Sequence, residues 1–314
     1  MSLTINHRTN LFNILRVSIT SECNISCFYC FNEGYAKNSL NDKDHLENIE
    51  KILRCHHYFG GKRVCITGGE PLLNSNIEKV GGLIEEIYNN SYHITTNGIL
   101  LNRNSKTFLK RVERINVTIP SIDRNKYYNI TGADNLKTVQ NNIDELLNYG
   151  CKINLNYTLI PDVNDKQDDI DNLISFASKR NMTISILKLY NQNLINAQKD
   201  KYFRNLYHSL SKYTKENFIG VNSDCPPVTI YKINGLKVIV RDFFFEIRHY
   251  SHCKSCEFFN ICEEGLCQPR TDINGNIKSC LFKNRNLNLK SDYFREFKEF
   301  IEIYSNEYKY WTKY

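Results

Sequence analysis

At 314 residues and 41% hydrophobic content, the chain can bury one large core and a smaller satellite, which excludes fibrous and disordered classes. The formal net charge of +7 favours anionic ligands, but the basic residues are spread out rather than gathered in a stripe, which argues against a nucleic-acid groove. No apolar run approaches the ~20 residues of a membrane span and the first thirty residues carry no export signal, so a cytoplasmic protein with no membrane partner is expected. The twelve cysteines then read as reduced thiols and metal ligands rather than disulfides.

In chain order, short apolar runs alternate with longer amphipathic ones. Strands are expected at Ile14 to Thr20, Arg63 to Gly68, Tyr92 to Asn97, Arg114 to Pro120, Ile153 to Ile160 and Met182 to Tyr190. Helices are expected around His45 to Cys55, Ile77 to Asn90, Leu136 to Gly150 and Asp169 to Asn181. Strand-helix repetition of this kind makes an α/β fold, a partial (β/α)6 TIM-like barrel. The alternation fails after about Asn191. Two hairpins follow, turning at Asn234-Gly235 and Asn274-Gly275, pairs that suit tight type I′ turns. A terminal helix then places Phe294, Phe297, Ile301 and Tyr304 on one face, read as core packing. The expected division is a barrel over 1–215 and a small α+β unit over 216–314.

The cysteines are unevenly placed. Cys23, Cys27 and Cys30 fall within eight residues, in the run SECNISCFYCFNEG. Protein-held 4Fe-4S cubes usually take four thiolates, so a triad leaves one iron for an exogenous ligand. Gly68-Gly69-Glu70-Pro71 follows the second strand, Asn97-Gly98 the third and Ser121 the fourth. All lie at the C-terminal ends of strands, where barrels of this class build their sites.

These motifs resemble the radical S-adenosylmethionine (SAM) superfamily, in which an aromatic residue, here Tyr29, precedes the third cysteine. The resemblance implies a SAM-binding 4Fe-4S cluster on Cys23, Cys27 and Cys30, reductive cleavage of SAM to a 5′-deoxyadenosyl radical, and hydrogen abstraction from a substrate. It further implies that Gly68, Gly69 and Pro71 shape the SAM loop, that Glu70 binds the SAM ammonium, and that Tyr29 packs against adenine. Thr96, Asn97, Thr118, Ser121 and Asn156 match positions that contact the SAM ribose or carboxylate. An electron donor such as flavodoxin or ferredoxin is implied as a partner.

From Leu15 to Ala177 the chain is most similar to the molybdenum-cofactor GTP cyclase (MoaA-like) branch, with YNITGADN at Tyr128 to Asn135 the most specific stretch. It departs where that branch holds its substrate: Cys65 and Asn74 stand in place of basic residues, and Gln268 replaces an arginine beside Arg270. Arg16, Arg63 and Arg270 remain as candidate substrate-binding cations. The loss of clamping cations, each worth about 1.5–3 kcal/mol in charge-assisted bonds, argues for a substrate other than GTP, either a peptide or a small natural-product or nucleotide-derived precursor. GTP cyclisation is the alternative, and a non-catalytic iron-sulfur or zinc protein binding nucleic acid a further one.

Cys253, Cys256, Cys262 and Cys280 resemble the auxiliary-cluster half of SPASM and twitch modules, which implies one auxiliary 4Fe-4S cluster, with Cys267 as an alternative ligand. A tetrahedral zinc site is the other reading of such spacings. His56, His57, His249 and His252 are read as exposed histidines outside any ligand set.

Overall fold

β-Branched runs and amphipathic stretches organise themselves, in the computed structural model, around one open sheet. The structure describes residues 13–30, 42–189, 206–219, 228–233, 235–241, 255–256, 268–272, 274, 276–278, 286–288 and 292–307. The first half runs β1 (Ile14–Ser18), α1 (Asp42–Tyr58), β2 (Arg63–Thr67), α2 (Ile77–Tyr88), β3 (Tyr92–Thr96), α3 (Lys106–Arg111) and β4 (Arg114–Thr118). It continues through α4 (Arg124–Thr131), α5 (Leu136–Asn148), β5 (Ile153–Leu159), α6 (Gln167–Ser178) and β6 (Thr183–Lys188). All six expected strands form, and each is parallel to the next. The short helices α3 and α4 were not expected, because neither is long enough to show an apolar period. Their signals are caps: Ser105 Oγ accepts from Phe108 N at 3.3 Å, and Asp123 Oδ1 accepts from Lys126 N at 2.8 Å.

The remaining strands are β7 (Thr214–Ile219), β8 (Val228–Ile233), β9 (Leu236–Arg241), β10 (Arg270–Asp272), β11 (Asn276–Lys278) and β12 (Asn286–Asn288). They extend the same sheet at both edges, in the order β12-β11-β10-β1-β2-β3-β4-β5-β6-β9-β8-β7. β9 lies parallel to β6 and β10 parallel to β1, so each hairpin adds to the sheet through one strand. The position 215–216, where the sequence suggests a division, falls inside β7.

Side-chain alternation gives the sheet two unlike faces. Leu15, Val17, Val64, Ile66, Ile94, Ile115, Val117 and Leu155 are essentially fully buried in the main core. Leu136, Val139, Ile143 and Leu146 of α5, and Ile170, Leu173, Ile174 and Ala177 of α6, belong to the same core at helical spacing. The intervening residues, among them Arg16, Ser18, Cys65, Thr67, His93, Thr95, Arg114, Asn116, Asn154 and Asn156, form the opposite face. Parallel strands covered on both faces by helices read as continuous apolar runs. The polar alternate positions therefore mark the inner wall of a partial barrel.

The last helix, α7 (Tyr293–Glu307), closes back onto α1. Phe297 is fully buried, with its ring stacked on Phe59 at a centroid distance of 5.9 Å, and Tyr293 Oη donates to Asn48 Oδ1 at 2.7 Å. Ile301 is buried as expected, whereas Phe294 is 44% exposed against Tyr58 and Phe59. The expectation for the side chain of Tyr304 lies outside the described residues. His56 corrects the reading of exposed histidines: it has no exposed surface, and its Nδ1 lies 2.7 Å from Tyr88 Oη. His249 and His252 lie outside the described residues. Among the described residues, no helix is long and apolar enough to cross a membrane.

Candidate active site

The cysteine loop leaves the C-terminal end of β1 and is held from three directions. Gly69 N donates to Thr20 O and Glu70 N to Glu22 O, both at 2.7 Å. Ser26 N donates to Thr131 O at 2.9 Å and Phe28 N to Ile130 O at 3.2 Å, which ties the loop to the end of α4. The two glycines are required by contact: a Cβ on Gly68 would lie 2.4 Å from Thr20 O, and one on Gly69 2.1 Å from Glu22 O. Gly68 also has φ +150°. The Gly-Gly-Glu-Pro turn and the cysteine loop are therefore packed backbone on backbone.

Cys23 and Cys30 are exposed and Cys27 is half-buried. Burial, followed by repulsion from Cys30 and Cys23, pushes the Cys27 thiol up to about 12. Burial also raises Cys23, opposed in part by a hydrogen bond from the Ile25 backbone. A positive partner would offset the burial and repulsion that oppose the thiolates of Cys23 and Cys27. Among the described residues, no three ligating side chains converge on a single ion. A cube is less demanding in this respect, since each thiolate binds a different corner. Nearby, Tyr127 is 1% exposed and its hydroxyl has no hydrogen-bond partner; the Cys27 charge acts on it. Tyr29 is half-buried, with its hydroxyl bonded to the Thr158 side chain. The donor set, the packed glycines and this buried hydroxyl fit an iron-sulfur cluster.

Glu70 has no exposed surface. Its Oε1 accepts from Thr96 Oγ1 at 2.7 Å and Leu72 N at 3.1 Å, and its Oε2 accepts from Asn97 N at 2.7 Å. Burial raises its pKa, and these three donors oppose the shift. The carboxylate clamps the end of β3 to the Gly-Gly-Glu-Pro turn and is closed from solvent. Pro71 opens a 3-10 turn, Pro71–Leu73, with Glu70 as its cap. Ser121 is buried and its Oγ accepts from Asp123 N at 3.1 Å. Thr118 and Asn156 are register partners across β4 and β5, and Asn156 Oδ1 accepts from Asn154 Nδ2 at 2.9 Å. Direct hydrogen bonds thus join Glu70, Thr96 and Asn97, while Thr118, Asn156 and Ser121 lie at neighbouring strand ends.

A second feature lies lower in the barrel. Register pairing places Arg270, Arg16, Cys65, His93 and Arg114 in one row across β10, β1, β2, β3 and β4. Arg16 NH1 is 3.7 Å from Cys65 Sγ, which is 3.5 Å from Thr95 Oγ1, and Arg114 NH2 is 3.3 Å from His93 Nδ1. Arg63 Nε lies 3.5 Å and His93 Nε2 3.6 Å from Glu113 Oε2. Burial, then the Arg114 charge, lowers His93 to about 4, so the ring is neutral at pH 7. Burial lowers Arg114 as well, and the charges of Arg63 and Arg241 reinforce this. Sequence reasoning found Arg16, Arg63 and Arg270 but missed Arg114 and Arg241; the period-2 placement of Arg114 beside Asn116 and Thr118 was the available signal. From Arg114 to Thr118 the strand rises about 13 Å, so the row sits one strand-length from the cysteine loop.

Of the second cysteine group, Cys256 is half-buried, and Cys253, Cys262, Cys267 and Cys280 lie outside the described residues.

A curved parallel sheet with a three-cysteine loop at its strand ends and a polar inner wall defines a radical-chemistry barrel. Residues 17–177 match the Radical SAM superfamily, and the chain belongs to that superfamily. It is 31% identical over 271 residues to a probable GTP 3′,8-cyclase of Methanosarcina acetivorans, covering 84% of this chain and 78% of the relative. It is 28% identical over 297 residues to the GTP 3′,8-cyclase of Clostridium acetobutylicum, covering 90% and 85%. The fold is similar to that of Streptococcus suis SuiB bound to S-adenosylmethionine, with a TM-score of 0.61 at 16% identity over 90% of this chain; the chain spans 64% of that structure. Native anSMEcpe with bound AdoMet gives a TM-score of 0.58 at 15% identity, covering 91% of this chain and 80% of that one.

The protein is therefore an enzyme that uses a 4Fe-4S cluster and SAM, with a substrate and a reductant, and it lies on the MoaA-like side of the superfamily. The relatives overturn the sequence-based expectation of a substrate other than GTP, because those that match most of the chain are named GTP 3′,8-cyclases.

Proposed function

We propose that the chain is a GTP 3′,8-cyclase. The observation that carries this reading is the arginine row: Arg16, Arg114 and Arg270 share one inner layer, with Arg63 beside it, about one strand-length from the cysteine loop. A nucleoside triphosphate bound along this polar trough would set its phosphates against the row and its ribose and base toward the loop. Each charge-assisted bond to phosphate contributes about 1.5–3 kcal/mol. Arg114 on β4 and Arg241 on β9 answer the objection drawn from Cys65 and Asn74, because they are cations in or beside the row that the count at those two positions left out.

In this reading Cys23, Cys27 and Cys30 would hold the cluster, and Thr118, Ser121 and Asn156 would help to bind SAM. When bound, the reduced cluster and SAM supply a carbon radical able to remove hydrogen from an unactivated carbon. The protein's part is position and dryness. The Glu70 clamp fixes the strand-end loop, Tyr29 and Tyr127 wall off water beside Cys27, and neutral His93 adds no charge to the arginine row. The reading extends to one auxiliary cluster on Cys253, Cys256, Cys262 and Cys280, with Cys267 as the alternative ligand. It extends also to a flavodoxin or ferredoxin as reductant, in the reducing cytoplasm that such centres need. The test is anaerobic incubation of reconstituted protein with SAM, dithionite and one nucleotide at a time. GTP should raise 5′-deoxyadenosine several-fold above ATP or no nucleotide; equal formation in all three removes the reading.

A further inference from the structure

Asn97 is 8% exposed and every polar atom of its side chain is committed. Its Oδ1 accepts from Ile99 N at 3.0 Å, which fixes the orientation of the amide, since the reversed group would set NH2 against N–H. Of the two hydrogens then carried by Nδ2, one serves Asn24 Oδ1 at 2.7 Å, and Nδ2 lies 3.9 Å from Cys23 Sγ. The Asn97 backbone is itself held, through Asn97 N to Glu70 Oε2 at 2.7 Å. Glu70, Asn97 and Cys23 thus form a continuous link from the Gly-Gly-Glu-Pro turn to the cysteine loop. The amide N–H groups are thereby directed to Asn24 and Cys23.

We propose that Asn97 is a positioning residue for the cluster, donating an N–H···S hydrogen bond to Cys23 that raises the cluster's reduction potential. The inference rests on Cys23 being a cluster ligand. One-electron reduction places negative charge on the cluster and its thiolates. A fixed N–H dipole aimed at one of those sulfurs stabilises the reduced state more than the oxidised one. The same amide grips Asn24, the residue after Cys23, so the donor stays aimed while the loop is held. Asn97 would therefore make the cluster easier to charge by a donor of given strength.

The experiment is an EPR-monitored redox titration of anaerobically reconstituted protein without SAM, with iron counted in each sample. N97L, which is neutral and has no donor, and N97D, which keeps the acceptor for Ile99 but loses both hydrogens, should shift the midpoint to more negative potential, N97D further. N24A, which removes the arm that helps aim the amide but leaves its N–H beside Cys23, should shift the midpoint in the same direction by less than N97L. N97L and N97D with wild-type iron content and wild-type potential would overturn the proposal. A second measurement needs no variant: in wild-type protein labelled with 15N asparagine, the reduced cluster should show a weak 15N coupling in pulsed EPR, and its absence would overturn the proposal even where the variants fail to load. A C23A protein that retains the full cluster signal would instead defeat the ligand reading beneath it.

Discussion

Removing the Glu70 carboxylate leaves Leu72 N, Asn97 N and Thr96 Oγ1 in a buried site without their acceptor. Unsatisfied buried donors cost about 1–3 kcal/mol each, partly relieved by rotation of the Thr96 hydroxyl, so E70A should lose about 3 kcal/mol or more in urea unfolding of the metal-free protein. E70Q keeps the shape and should lose less. His93 gives a second prediction. Its pKa falls from an ordinary 6.5 to about 4 on folding. Between those values the unfolded chain binds a proton that the folded chain refuses. Folding should therefore weaken as pH drops from 6.5 toward 4, and H93Q should flatten that slope in pH-dependent unfolding curves. At this scale the sequence was legible where chemistry is carried by spacing: the run of Cys23, Cys27 and Cys30 led to the superfamily that residues 17–177 match. The sequence was silent on the hydrogen-bond partners of Glu70 and Asn97, because these come from elements that only folding brings together.

Among the elements, the six parallel strands were legible because β-branched runs of five to seven residues stand between amphipathic helices. What was not legible is where the late hairpins go. Nothing local in Val228 to Arg241 or Arg270 to Lys278 states that β9 will pair with β6 and β10 with β1, since those partners are set by the exposed edges of the sheet. Two glycines test the packing of the site's loops. G69A would place a methyl 2.1 Å from a backbone carbonyl, so it should push the cysteine loop away and cut iron loading by more than half on reconstitution. G82A, in the exposed interior of α2 with nothing within 4 Å of the added carbon, should load iron normally and stabilise the fold by roughly 0.5–1 kcal/mol in thermal or urea unfolding.

For the molecule as a whole, the sequence led to the superfamily through motifs and misjudged the substrate by counting cations at motif positions. The structure brings Arg114 and Arg241, which lie outside every motif, into the same electrostatic neighbourhood as the residues that were counted. If the row binds phosphate, R16A and R114A should each raise KM for GTP at least about tenfold, the low end of losing one charge-assisted bond, while SAM cleavage without nucleotide stays at its background rate. The most direct measurement of the central claim follows deuterium. Forming a bond at the 3′ carbon requires removal of its hydrogen, so anaerobic turnover with SAM, dithionite and GTP deuterated at C3′ should yield 5′-deoxyadenosine enriched in one deuterium together with a cyclised nucleotide. Unlabelled 5′-deoxyadenosine at the rate seen without GTP, and no nucleotide product, would contradict the account.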